Sequence, residues 1–105
     1  MNVTRVQDDT GTHIEPALDS TWSEARKFEW HAAVVAHDTG LTIRVHPPGT
    51  DRLGRVVHGI TIGEINKGGQ TTIPALPFYD AWEFLSAVSI GAMALLALQQ
   101  HAEGG

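Results

Sequence analysis

The chain has 105 residues, 42% of them hydrophobic and 18% charged, which fits one domain with a single packed core and is too apolar for a disordered chain. It has no cysteine, which removes disulfides, thiolate nucleophiles and cysteine-ligated metal sites together. Twelve acidic against seven basic residues leave a net charge of -5, which disfavours nucleic acid as a partner.

The opening stretch Met1 to Asp9 has neither a basic segment nor an apolar one of the secretory kind. A cytoplasmic location is therefore expected, and the sequon Asn2-Val3-Thr4 reads as a chance match. Val3 to Val6 alternates with polar residues, Asp8-Asp9-Thr10-Gly11 is a turn cluster, and Thr12 to Glu15 resumes an extended pattern before Pro16. This predicts a short N-terminal hairpin. Asp19 to Glu24 holds a capping box, Thr21 with Glu24, compatible with one helical turn.

Phe28, Trp30, Ala32, Val34 and Ala36 recur at every second position, which predicts a strand with one core face. His37-Asp38-Thr39-Gly40 supplies a turn, and Leu41, Ile43 and Val45 alternate on the way back, completing a hairpin. A two-residue loop pairs Ala36 and Val34 with Leu41 and Ile43. A three-residue loop with a left-handed Gly40 pairs them with Thr42 and Arg44; the first register is favoured. In that register His31 lies across from His46.

Pro47 to Gly54 is rich in breakers and predicts a long exposed connection, followed by a strand from Arg55 to Ile62. Gly59 and Gly63 suggest a bulge or a close backbone approach. Asn66-Lys67-Gly68-Gly69 predicts a turn and Gln70 to Ile73 an edge strand, with Pro74 and Pro77 preventing further pairing.

Asp80 with Glu83 reads as a capping box, with Tyr79 and Phe84 as a hydrophobic staple, so a helix is predicted over about 78 to 100. Its core arc is Phe84, Leu85, Val88, Gly91, Ala92, Leu95, Leu96 and Leu98. The opposite side, Trp82, Ser86, Ser89, Ile90, Met93 and Ala97, is too apolar for water alone, and Trp82, Ser86, Ser89, Met93, Leu96 and Gln100 follow the steps of four and three of a helix-helix seam. Two readings of that side compete: a partner helix, or coverage by the N-terminal hairpin or the segment Ile73 to Leu76. The uncharged run Phe84 to Leu98 also raises membrane insertion, but it falls short of the roughly 20 apolar residues a span needs and no Lys or Arg follows it.

The fold class expected is α+β: a small, hairpin-rich antiparallel sheet of about four to five strands over residues 1 to 73, packed against one long C-terminal helix, as one domain over 1 to 105. No constellation for chemistry assembles from the sequence. Gly63 to Thr71 has phosphate-loop spacing, but Gly69 stands where the lysine belongs. The serines stand in no nucleophile setting. Among six histidines, His31, His46 and His58 invite a metal, yet no acid is predictably beside them.

Neither a cofactor nor an enzymatic activity is expected. Arg44, Arg52 and Arg55 concentrate positive charge around the Pro47 to Gly54 connection, a second candidate contact surface for an acidic protein partner. The expectation is a non-enzymatic structural or interaction module that self-associates through the outer helix face. Richness in Ala, Gly, Arg and Asp with only two lysines fits a small accessory protein of a high-GC bacterium or a phage, in the latter case within the virion.

Overall fold

The computed structural model describes the backbone of residues 1–63 and 70–104 and, within these, the side chains other than those of residues 70, 93 and 96–104. The predicted turn at 66–69 and most of the phosphate-loop spacing lie outside the described residues. The element order is β1 (Thr4–Asp8), β2 (Gly11–Glu15), α1 (Glu24–Thr39), β3 (Thr42–Val45), β4 (Gly49–Thr50), β5 (Val56–Gly63), β6 (Gln70–Pro77) and α2 (Phe78–Gly104). The fold is α+β, with two helices and two sheets of two and four strands.

β1 and β2 form the expected hairpin, with Asp8 paired to Gly11 across the turn. The Asp8 carboxylate accepts from the Thr10 amide and hydroxyl, and Gly11 takes φ +118°, outside the range side chains favour. This ribbon forms a sheet of its own, and side chains at Arg5 and Trp30 tie it and the residue after it to α1. Arg5 Nε donates to Asp38 Oδ1 at 2.9 Å, and Trp30 Nε1 donates to the Pro16 carbonyl at 2.7 Å.

The segment predicted as the clearest strand is helix α1, so the hairpin of 28–36 with 41–45 does not form and His31 does not face His46. The alternation through Phe28, Trp30 and Ala32 conceals a second period: Phe28, Ala32 and Val35, at i, i+4 and i+7, are the buried positions. Both ends carry stop signals. Ser23 Oγ accepts from the Arg26 amide, and Gly40, left-handed at φ 76°, donates its amide to the Ala36 carbonyl at 2.9 Å. Thr21 is not the cap; it is held in a turn by the Asp19 carboxylate, which accepts from its amide and hydroxyl.

β5 is the central strand of the larger sheet, antiparallel to β3 and β4 on one edge and to β6 on the other. β6 runs through both prolines, contrary to expectation. The pairing jumps from Ile60 opposite Ile73 to His58 opposite Leu76, so Pro74 and Ala75 bulge opposite Gly59, where a missing ladder donor costs nothing. A side chain at Gly59 would stand 3.5 Å from Ala75 and from the Ile73 carbonyl, an ordinary contact distance, so the bulge leaves room for one.

Two helices, rather than one, cover the sheet. Phe28, Ala32 and Val35 of α1 and Ala81 and Leu85 of α2 meet Ile60, with Ile43, Val45, Ile62, Ile73, Leu76, Phe78, Phe84 and Val88 around them. α2 starts at Phe78, directly after Pro77, where the sequence placed it. Tyr79 is consequently on the solvent side and no staple onto Phe84 forms.

Candidate functional site

Three places combine unusual exposure or unusual burial with chemistry: α2, the tip of the β4–β5 hairpin, and the surroundings of His58.

On α2 the expected core arc holds for its first turns only. Leu85 is fully buried and Phe84 and Val88 join the core, but Gly91 and Leu95 are exposed, and a side chain added at Gly91 would meet nothing within 4 Å. The cause is length. A helix of 27 residues extends about 40 Å, whereas the eight-residue strands beneath it span about 27 Å and α1 has 16 residues. Ile90 (69% exposed), Gly91, Ala94 and Leu95 (57%) thus form a solvent-facing apolar arc.

The residues predicted on the outer face divide. Ile90 is exposed, while Trp82, Ser86 and Ser89 are half-buried. The Trp82 ring lies 4.0 Å from that of His31, so the seam read from the sequence meets a helix of the same chain, α1, at this point. Ser86 turns its hydroxyl back to the Trp82 carbonyl. The side chains of Met93 and Ala97 lie outside the described residues. A shallow groove of about 430 Å³, walled by Leu18, Lys27, Phe78, Tyr79 and Trp82, opens at the start of α2.

Arg44, Arg52 and Arg55 are not brought together. Arg44 sits on β3 opposite Thr61, while Arg52 and Arg55 belong to the turn that joins β4 to β5. Five residue steps along β5, from Val56 to Thr61, separate them by about 17 Å. The predicted long connection is in fact a tight hairpin built on Asp51. Its carboxylate accepts from the Leu53 and Arg55 amides and from Arg55 Nε, and Gly54 adopts φ 80°. These bonds hold Asp51 below the usual carboxylate range and engage one of the two arginines. Leu53 at 78% and Val56 at 52% exposure give the tip an apolar character that the sequence reading missed.

His58 is 2% exposed on β5, its ring between Phe28 (5.3 Å between centroids) and Phe78 (6.1 Å), and its Nε2 has no hydrogen-bond partner among the described residues. Burial pushes its pKa down, partly opposed by the negative charge of Glu24. Beside it is a cavity of about 340 Å³ bordered by Ala25, Glu29, Val45, His46, Pro47 and Pro48. His46 borders this space, but its Nε2 is 2.6 Å from the Thr61 hydroxyl. The pairing places His46 and Thr61 on the sheet face opposite His58, so the two imidazoles do not converge.

His31 is similarly starved. Its Nδ1 is buried without a partner among the described residues, and burial lowers its pKa to about 4. Among the described residues no three His, Cys, Asp or Glu side chains gather as a metal site requires, and no helix is long and apolar enough to cross a membrane.

Comparison with known proteins finds no matching family model, no matching characterised protein and no matching solved structure.

Proposed function

We propose that this chain is a small non-enzymatic interaction module that self-associates through the exposed turns of α2. The observation that carries the reading is the apolar arc Ile90, Gly91, Ala94 and Leu95, presented to solvent where the helix outruns the rest of the fold. Small residues between two large ones allow a second helix to approach closely.

Sedimentation of the intact protein over a concentration series tests the reading, beside an Ile90→Glu, Leu95→Glu double variant. A concentration-dependent dimer or larger species that becomes a folded monomer in the variant supports it. A wild type that is monomeric throughout rules it out.

A second reading, a docking surface for an acidic protein, rests on the β4–β5 tip, where Leu53 projects beside Arg52 and Arg55. An exposed apolar residue beside two cations offers a contact point together with charge steering toward an acidic surface. A Leu53→Ser variant that loses no interaction shown by the wild type in pull-down from the native host would remove this reading.

A further inference from the structure

Strand β3 is paired on one side only. β5 meets Thr42, Ile43, Arg44 and Val45 at Gly63, Ile62, Thr61 and Ile60, and among the described residues no strand lies on the far edge of β3. In an antiparallel ladder, alternate residues turn their amide and carbonyl toward the partner strand. The His46 amide donates to the Gly59 carbonyl at 2.9 Å, so Arg44 bonds to β5, and Ile43 and Val45 turn their backbone groups to the open edge. Those outward groups have no backbone partner among the described residues.

The same edge borders a groove of about 820 Å³, with Ala32, Ala33 and Ala36 of α1 on one wall and residues 1–4 on another. At the spacings of packed sheets one strand residue takes up about 160 Å³, so the groove has room for roughly five. The side chains decide which strand fits. Ile43 and Val45 pack toward the core, whereas Arg44 is exposed on the sheet face away from the helices and forms no ion pair among the described residues. A residue set opposite Arg44 shares that face, about 5 Å away between Cβ atoms, and its neighbours turn toward α1. A second copy of β3, pairing Ile43 with Val45 across the edge, sets Arg44 opposite Arg44, and like charges there are destabilising. An acidic residue in that place is favourable. The Glu29 carboxylate does not oppose it, because α1 lies on the other face of the sheet.

We infer that the open edge of β3 receives an extended segment of another protein, which pairs its backbone with Ile43 and Val45 and places an acidic side chain opposite Arg44, between two apolar ones directed at the alanines of α1.

The probes are acetyl-Thr-Val-Glu-Val-Thr-amide and its lysine counterpart, acetyl-Thr-Val-Lys-Val-Thr-amide, added to the full chain labelled with ¹⁵N. The glutamate peptide is expected to bind saturably and to protect the Ile43 and Val45 amides from hydrogen exchange, with the Arg44 amide, already bonded to β5, unchanged. The lysine peptide should bind about fivefold more weakly, and Arg44→Glu should reverse that order. Val45→Pro removes an outward donor while leaving the β5 ladder intact, and should abolish binding. If that variant fails to fold, Arg44→Glu, at an exposed position, carries the test. No added protection at Ile43 and Val45, equal binding of the two peptides, or an order that Arg44→Glu leaves unchanged overturns the inference. Protection of the two amides that grows with protein concentration in the absence of peptide also overturns it, giving the edge to a second copy. The readout is on β3 and the self-association reading rests on α2, so each can fail without the other.

Discussion

The first turns of α2, from Phe78 to Val88, and the turns that follow, through Leu95, both carry large apolar side chains, which the fold buries in the first and exposes in the second. Leu85 is fully buried between α1 and β5, and Leu95, of the same residue type on the same helix, is 57% exposed. Ala81 is 3% exposed, whereas Ala94 faces solvent. An apolar helical pattern records that something must cover the residues; it does not record whether the cover is in the same chain. For the first turns the cover is α1 and the sheet, and along the next ones it thins, leaving Ser89 and Ala92 half-buried and Leu95 exposed.

The strongest way to break this comparison is to truncate both leucines. Leu85→Ala should cost about 3 kcal/mol, since a core with few fully buried side chains has little capacity to close the cavity. Leu95→Ala should cost less than about 0.5 kcal/mol in the dissociated monomer. Urea unfolding at high dilution reads both, and equal losses would mean that Leu95 is covered within the monomer after all.

Acid should act on the packed half alone. His31 lies against Trp82 at the α1–α2 contact and His58 between Phe28 and Phe78, and burial lowers the pKa of both. The folded state therefore holds these imidazoles neutral while the unfolded chain protonates them near the ordinary value of about 6.5. Their neutral burial is without penalty above that value, and stability falls as the pH drops from 6.5 toward about 4, the folded-state value of His31. After allowance for the solvent that reaches His31, the loss is on the order of 1 to 2 kcal/mol. A His31→Gln variant should flatten the stability profile over that range, and an unchanged slope would count against the buried neutral ring.

A smaller effect is expected where the β1–β2 ribbon is tied down. Trp30→Phe deletes the bond to the Pro16 carbonyl, and a loss of about 1 kcal/mol is expected. Hydrogen exchange should show faster exchange in β1 and β2 with β5 protected as before. Uniform acceleration would mean that the ribbon and the larger sheet unfold together. The least perturbing change is Gly91→Ala, which places a methyl in open space on an exposed helix and should add about 0.5 to 1 kcal/mol of stability. If close helix approach at Gly91 holds the oligomer together, the same variant should dissociate more readily, separating fold stability from assembly.

Much of the fold was legible in short-range signals. The turn cluster at Asp8 to Gly11 sits in the first hairpin, Val56–Gly63 is a strand, Gly59 marks a bulge, and a helix begins near Pro77. The largest error, reading α1 as a strand, came from a segment that satisfies two periods at once. The caps that separate them, Ser23 and Gly40, were present in the sequence and outweighed the alternation. At the prolines of β6 the rule was applied without its exception, since a bulge accepts a residue that has no amide donor. Of the candidate surfaces, the exposure of Ile90 and of the turn that carries Leu53 matches the expectation, while the exposure of Leu95 and the isolation of His58 do not. No local signal carries those two, because each depends on which element lies next to the residue in space.

By itself the sequence determined what is local: the turns, the strand β5, the start of α2, the absence of thiol chemistry and the excess of acidic charge. Each follows from backbone preference or side-chain composition within a few residues. Only the tertiary structure decided that Trp82 meets α1, that the cover of α2 thins beyond Val88, that Arg44 stands apart from Arg52 and Arg55, and that His58 is buried with an unpartnered nitrogen beside a cavity. Those outcomes depend on the relative lengths and pairing of elements far apart in the chain, and hydrophobic patterning, which has a period but no address, does not encode them.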